Sequence, residues 1–190
     1  MRYKDCIERY FDIDEPKTGQ LVPFKLNQVQ QRYYEELKAQ GLEQGLKTPI
    51  REIILKARRE GFTSLILAIF AVDDILSLEP TNTEVISYKD DATETFRRRY
   101  RNYVTSYGAR KLGYSVEQIQ QSPGLLDQAA KQILEVDSTE IILKHNKAHF
   151  YCGTASARVG GRGGVLQKIL YSEAAFYPDK QELRAKEIIE

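Results

Sequence analysis

Lys56, Arg58, Gly61 and Thr63 are residue types that grip a phosphate chain, and they fall within nine positions of one another in IREIILKARREGFTS, residues 50–64. A phosphate-binding loop of the usual pattern carries two glycines five positions apart, then Lys, then Ser or Thr. Its backbone N–H groups and the following helix N-terminus then surround phosphate oxygens. Aligned on Gly61, this chain has Thr63 in the place of the magnesium-binding hydroxyl, Phe62 in the place of the lysine and Lys56 in the place of the first glycine. Two readings stay open on these residues: a chance likeness, or a variant loop whose lysine has moved to its start.

A second group lies downstream. The run ILYSEAAFY, residues 169–177, is an apolar strand ending in Ser172 and Glu173, and a carboxylate so placed can orient an attacking water in phosphoryl transfer. Many buried strands also end in a carboxylate without catalytic work. A third group lies upstream in FKLNQVQ, residues 24–30. An aromatic ring at Phe24 with the amides Asn27 and Gln30 can read an adenine, because an amide both donates and accepts. The alternative is a solvated helix face capped by Asn27.

These residues need elements to hold them. Apolar alternation predicts an α/β chain: helices over 4–11, 26–37 and 63–78, the last burying Leu65, Ile66, Ile69, Val72 and Leu76, and strands at 52–56 and 84–88. Asp90 and Asp91 are placed to cap a helix running to about Tyr107. Residues 108–124 read as less regular, and 140–144 with 148–153 as a hairpin across 145–147. A charged helix follows Pro178. Asp73 and Asp74 fall on the polar side of their helix. The run RRRYRNY, 97–103, reads as a solvated face in which Glu94 pairs with Arg97 or Arg98, or else as a DNA-contacting helix. Tyr100, Tyr103 and Tyr107 read as packing. His145 and His149 flank a turn, so a metal site is not expected there.

Composition limits the classes. The chain has 190 residues, 42% hydrophobic and 29% charged, with a net charge of +1, enough for a full core and no bulk signal for nucleic acid. Cys6 and Cys152 are far apart and fit a reducing compartment. No apolar run approaches the roughly 20 residues of a membrane span.

Together, FKLNQVQ, LKARREGFTS, and GTASARVGGRGG followed by ILYSEAAFY closely resemble the ATPase domain of large terminase subunits, the DNA-packaging motors of tailed bacteriophages. In that family the loop lysine is often displaced to the first position, which matches Lys56. The resemblance implies a P-loop NTPase fold, three layers α/β/α with a mostly parallel central sheet, incomplete at the C-terminal end. It implies one ATPase domain over 1–190, with 1–23 an N-terminal helix and turn and 24–190 the core, and no nuclease domain.

The resemblance also assigns roles. Phe24 and Gln30 would face adenine, and Lys56, Ala57, Arg58, Arg59, Glu60, Gly61, Phe62, Thr63 and Ser64 would form the ATP loop. Arg58 would sense the γ-phosphate, Glu173 would be the catalytic carboxylate and Arg162 an arginine finger acting in trans. Thr63 would hold Mg2+, with Ser172 touching it indirectly where the family usually has an aspartate. The implied partners are ATP, Mg2+, double-stranded DNA, a portal protein, a small terminase subunit and further copies in a ring, with no membrane, in the host cell cytoplasm. Two other classes are a truncated, non-catalytic nucleotide-binding or assembly module, and a helicase-like ATPase.

Overall fold

The protein is described by a computed structural model over residues 2–15, 17–44, 49–54, 60–137, 140–155 and 165–172. Helix α1 spans Tyr3–Tyr10, and a small antiparallel pair, β1 (Asp12–Asp14) and β2 (Leu21–Pro23), follows it. Then come α2 (Gln28–Ala39), α3 (Phe62–Leu76), β3 (Asn82–Ser87), α4 (Asp90–Lys111), α5 (Val116–Gln121) and α6 (Gly124–Ile133). Strands β4 (Leu134–Asp137), β5 (Glu140–Leu143), β6 (His149–Thr154) and β7 (Lys168–Tyr171) complete the described elements.

The main sheet has the order β4-β5-β6-β3-β7. Strands β6 and β7 flank β3 in parallel, whereas β4–β5 and β5–β6 are antiparallel. The sheet is therefore mixed, with a parallel block of three strands, rather than mostly parallel. The expected hairpin over 140–153 accounts for the antiparallel β5–β6 pair, since a short turn at 144–146 reverses the chain.

Helix α3 is apolar around most of its circumference, which suits a helix buried on nearly all sides, and Leu65, Leu67, Ala68, Ala71 and Val72 are fully enclosed. Helix α4 threads the same core. Tyr100 stacks on Phe150 with ring centroids 3.8 Å apart, and Tyr103 stacks between Phe11 and Phe24 at 5.2 and 5.7 Å. These tyrosines are core, as their helical spacing predicts. Gly108 sits where α6 crosses α4: a Cβ there would come within 2.0 Å of Ile133 Cδ1, so any side chain would force Ile133 to shift. The N-terminal segment is tied down by Arg110, which donates to Asp12 at 2.7 Å, and by Arg98, 3.4 Å from Asp14. Arg97 pairs with Glu94 at 2.9 Å. Cys6 and Cys152 are free and buried, and burial pushes their thiols up to about 11 and about 12.

Several expectations need correction. Residues 108–124 include α5, capped by a reciprocal Ser115–Gln118 box, and α6 begins at Gly124. Asp90 and Asp91 lie in the first turn of α4, whose N-cap is Lys89; they favour that helix end through its dipole, not as caps. Leu76, expected inside, is 40% exposed at the helix end. The described part of the expected 52–56 strand, 52–54, is not in a strand, and Ile53 is 94% exposed. Glu52 is held instead by Tyr33 and by Gln40, whose amide donates at 2.6 Å. Asp74, expected on the polar side of its helix, is wholly buried.

Candidate functional site

The upstream amides and the glycine meet. Asn27 caps α2: its side chain accepts from the Gln30 N–H at 2.9 Å, and the Gln30 side chain accepts from the Asn27 N–H at 2.9 Å. Such a reciprocal box satisfies two helix-end donors and stabilises by about 1 kcal/mol. The same two side chains reach across to the loop. Gln30 Nε2 donates to the Gly61 carbonyl at 2.8 Å, and Asn27 Nδ2 to the Glu60 carbonyl at 3.3 Å. Gln30 is thus buried and engaged at both ends of its amide. Phe24 is buried too, its ring stacked on Tyr103.

Gly61 is the N-cap of α3, with φ 78° and ψ 12°. A side chain is strained there, and a Cβ would lie 2.6 Å from Gln30 Nε2, so the position demands glycine. Among the described residues no side chain caps α3. The first N–H groups of an α-helix lack intrahelical acceptors, so Phe62, Thr63 and Ser64 present donors and the positive end of the helix dipole. That combination fits an anion. Thr63 stands in this first turn, half-buried, and Ser64 is buried with its carbonyl accepting from Tyr103 Oη at 3.3 Å.

The parallel block ends in three hydroxyl residues. Ser87 of β3 pairs in register with Thr154 of β6, and Ser172 directly follows β7. The Ser172 N–H donates to the Ile86 carbonyl at 2.9 Å, and the Ala155 N–H to the Ser87 carbonyl at 2.8 Å. Ligands of open α/β sheets collect at the carboxyl ends of parallel strands, which makes Ser87 and Thr154 members of the candidate region that the motifs did not single out. Their sequence signal is a strand ending in a small hydroxyl residue. Lys56, Ala57, Arg58, Arg59, Arg162 and Glu173 lie outside the described residues.

At the opposite, amino edge of the block is a dense charged cluster. Asp74 accepts from Tyr100 Oη at 2.6 Å, from Thr83 at 3.1 Å, from Thr81, and from Lys168 Nζ at 2.6 Å. Lys168 also reaches Asp73 at 2.5 Å, and Tyr3 donates to Asp73 at 3.0 Å. Two acids in the last turn of a helix oppose its dipole, and α3 has no basic residue there. Lys168, from the start of β7, supplies the missing cation. Burial and Asp74 hold the Tyr100 hydroxyl well above its ordinary range, so it stays a donor. Among the described residues no cluster of His, Cys, Asp and Glu is arranged for a metal. His149 pairs with Glu140 at 2.8 Å, and His145 Nε2 lies 3.0 Å from the Ile75 carbonyl.

No family model, curated protein or solved structure matches this chain. No helix among the described residues is long and apolar enough to cross a membrane.

Proposed function

We propose that this chain is the ATPase domain of a viral DNA-packaging motor of the large-terminase type, hydrolysing ATP to move double-stranded DNA into a procapsid. The observation that carries the reading is the bond from Gln30 to the Gly61 carbonyl. It joins the upstream amide element to the left-handed glycine of the phosphate-binding motif, and α3 opens immediately after with no side-chain cap among the described residues. In this reading the central block of the mixed sheet belongs to a three-layer P-loop domain.

The chemistry is displacement at phosphorus by water, promoted by positioning and charge. Lys56 and Arg58 neutralise the phosphates, and Gly61 lets the backbone approach them. Glu173 orients the water. The Thr63 hydroxyl would hold magnesium, with Ser172 touching it indirectly, and the ion would supply further neutralising charge. Arg162 acts on a neighbouring copy in a ring, and an arginine finger is worth about 10³–10⁵ in rate, so the isolated monomer turns over slowly. Portal protein and small terminase subunit are the partners of the assembled motor.

Steady-state ATPase, measured with and without duplex DNA, tests the reading. Wild type hydrolyses ATP faster with DNA, Lys56→Ala loses nucleotide binding, and Glu173→Ala binds ATP without turning it over. Unchanged ATP affinity in Lys56→Ala sinks the displaced-lysine loop. A chain that binds ATP but never hydrolyses it, with DNA and at ring-forming concentration, is a nucleotide-binding module instead.

A further inference from the structure

The last turns of α1 and α4 meet, and both carry basic residues: Arg9 in one, Arg110 and Lys111 in the other. The Tyr10 and Tyr107 rings touch there at a 58° tilt with centroids 5.2 Å apart. The Arg9 guanidinium carbon lies over the Tyr10 ring at 5.4 Å, and Lys111 Nζ stands 5.9 Å from both ring centroids. Lys25 flanks the same end of α1, its Nζ donating to the Glu8 carbonyl at 3.2 Å. Arg9, Lys25 and Lys111 are exposed, and the two tyrosines are half-buried.

The acids nearest in sequence are engaged elsewhere. Asp12 takes Arg110 at 2.7 Å, Asp5 takes Arg2 at 2.9 Å, and the Glu8 carboxylate accepts from the Leu26 N–H at 3.3 Å. Among the described residues no carboxylate pairs with Arg9, Lys25 or Lys111. The arginine run of α4 differs. Arg97 pairs with Glu94, Arg98 with Asp14 and Arg101 with Asp127, so a phosphate on that run has to displace a carboxylate.

We infer that the joint end of α1 and α4 is a contact surface for the phosphodiester backbone of duplex DNA; the choice of DNA rests on the packaging reading above, the place on the unanswered cations. Cation–π contacts hold Arg9 and Lys111 over the rings, so less side-chain freedom is lost when a phosphate binds. Tyrosine hydroxyls are neutral donors of the kind that reach backbone phosphates. Burial raises the Tyr107 pKa, so that hydroxyl keeps its proton. A site for single strands needs open aromatic faces on which bases stack. Here cations lie over the rings and the rings lie against each other, which leaves charge and hydroxyls for the outside of a duplex. Such contacts position a duplex without reading its sequence.

Fluorescence anisotropy with a short labelled duplex of mixed sequence, without nucleotide and over a range of salt, tests the surface. Each phosphate contact adds about 0.9 to the slope of log affinity against log salt. Arg9→Gln, Lys25→Gln and Lys111→Gln each lower that slope by about this amount, equally for any duplex sequence. Arg9→Lys keeps the slope, and Arg98→Gln and Arg101→Gln leave it unchanged. A lowered denaturation midpoint with an unchanged slope makes Arg9 and Lys111 helix-end cations alone and overturns the surface. A slope that follows Arg98 and Arg101 instead overturns the surface and spares DNA as the partner. Tighter binding of single-stranded DNA than of duplex overturns the duplex assignment. A slope that follows Arg9 and Lys111 in a chain whose ATPase ignores DNA upholds the surface and overturns the motor reading. No duplex binding even at low salt overturns both.

Discussion

The two ends of α3 are built on opposite plans. At its C-terminal end every acidic group is answered: Asp74 has two threonines, a tyrosine and Lys168, and Asn146 donates to the Asp74 carbonyl at 2.7 Å. Helices α1, α3 and α4, strands β3 and β7 and the turn before β6 all meet there. At its N-terminal end the Gly61 carbonyl takes the Gln30 amide, no side chain among the described residues caps the helix, and a cavity lined by Tyr33, Ile53 and Phe62 opens beside it. A satisfied buried network rigidifies a fold. A helix end with unanswered donors costs stability unless a ligand or solvent answers them. One end of the helix holds the fold; the other is where the proposed function places the phosphates.

The largest test of that contrast is Asp74→Ala. The substitution leaves Lys168 with Asp73 as its one remaining carboxylate here and takes the shared acceptor from Thr81, Thr83 and Tyr100; breaking such a buried charged network costs about 3–5 kcal/mol, read as a drop in denaturation midpoint. Tyrosine 100 comes next. Tyr100→Phe keeps the Phe150 stack and removes one bond to a carboxylate, for about 1.5–3 kcal/mol by the same assay. Gly61→Ala is smaller still in stability, about 1–2 kcal/mol for a side chain in the left-handed region, yet it weakens tripolyphosphate binding, which Tyr100→Phe leaves unchanged. Equal effects of these two variants on binding would erase the contrast.

The smallest effect concerns a carboxylate with no such network. Glu84 lies in β3, the middle strand of the parallel block, beside Tyr151 and Ile169 in register, and burial raises its pKa. A carboxyl with a raised folded pKa favours the folded state in its protonated form. Its contribution is complete below the ordinary carboxylate range, about 4, and is lost as pH rises through the raised value. Glu84→Gln should therefore melt above wild type near neutral pH and at the same temperature below about pH 4. A gain that persists undiminished in acid would assign the effect to packing instead.

Much of the local structure was legible. The apolar segment of α3, the Asn27 cap, the hairpin before His149, the tyrosine stripe of α4 and the Glu94–Arg97 pair all follow from period, spacing or cap chemistry within a few residues of one another. The misses share a cause. Asp74 looked like a solvent-facing acid because its partners Lys168 and Tyr100 are 94 and 26 residues away. Glu52, Ile53 and Ile54 looked like a strand because their residues are strand-formers, but Tyr33 and Gln40 claim the Glu52 carboxylate. Nothing in the sequence of α2 indicates that the Tyr33 ring will meet Phe62.

Sequence alone determined helices α1 to α4, strand β3 and the hairpin of β5 with β6. These are properties of neighbours along the chain. Only the tertiary structure decided that the sheet is mixed, that Gln30 closes on Gly61, that Asp74 is buried and answered, and that a cavity opens between α2 and Phe62. Each of those depends on groups tens of residues apart, brought together because burying the apolar faces of α3 and α4 leaves few ways to satisfy the polar atoms carried in with them.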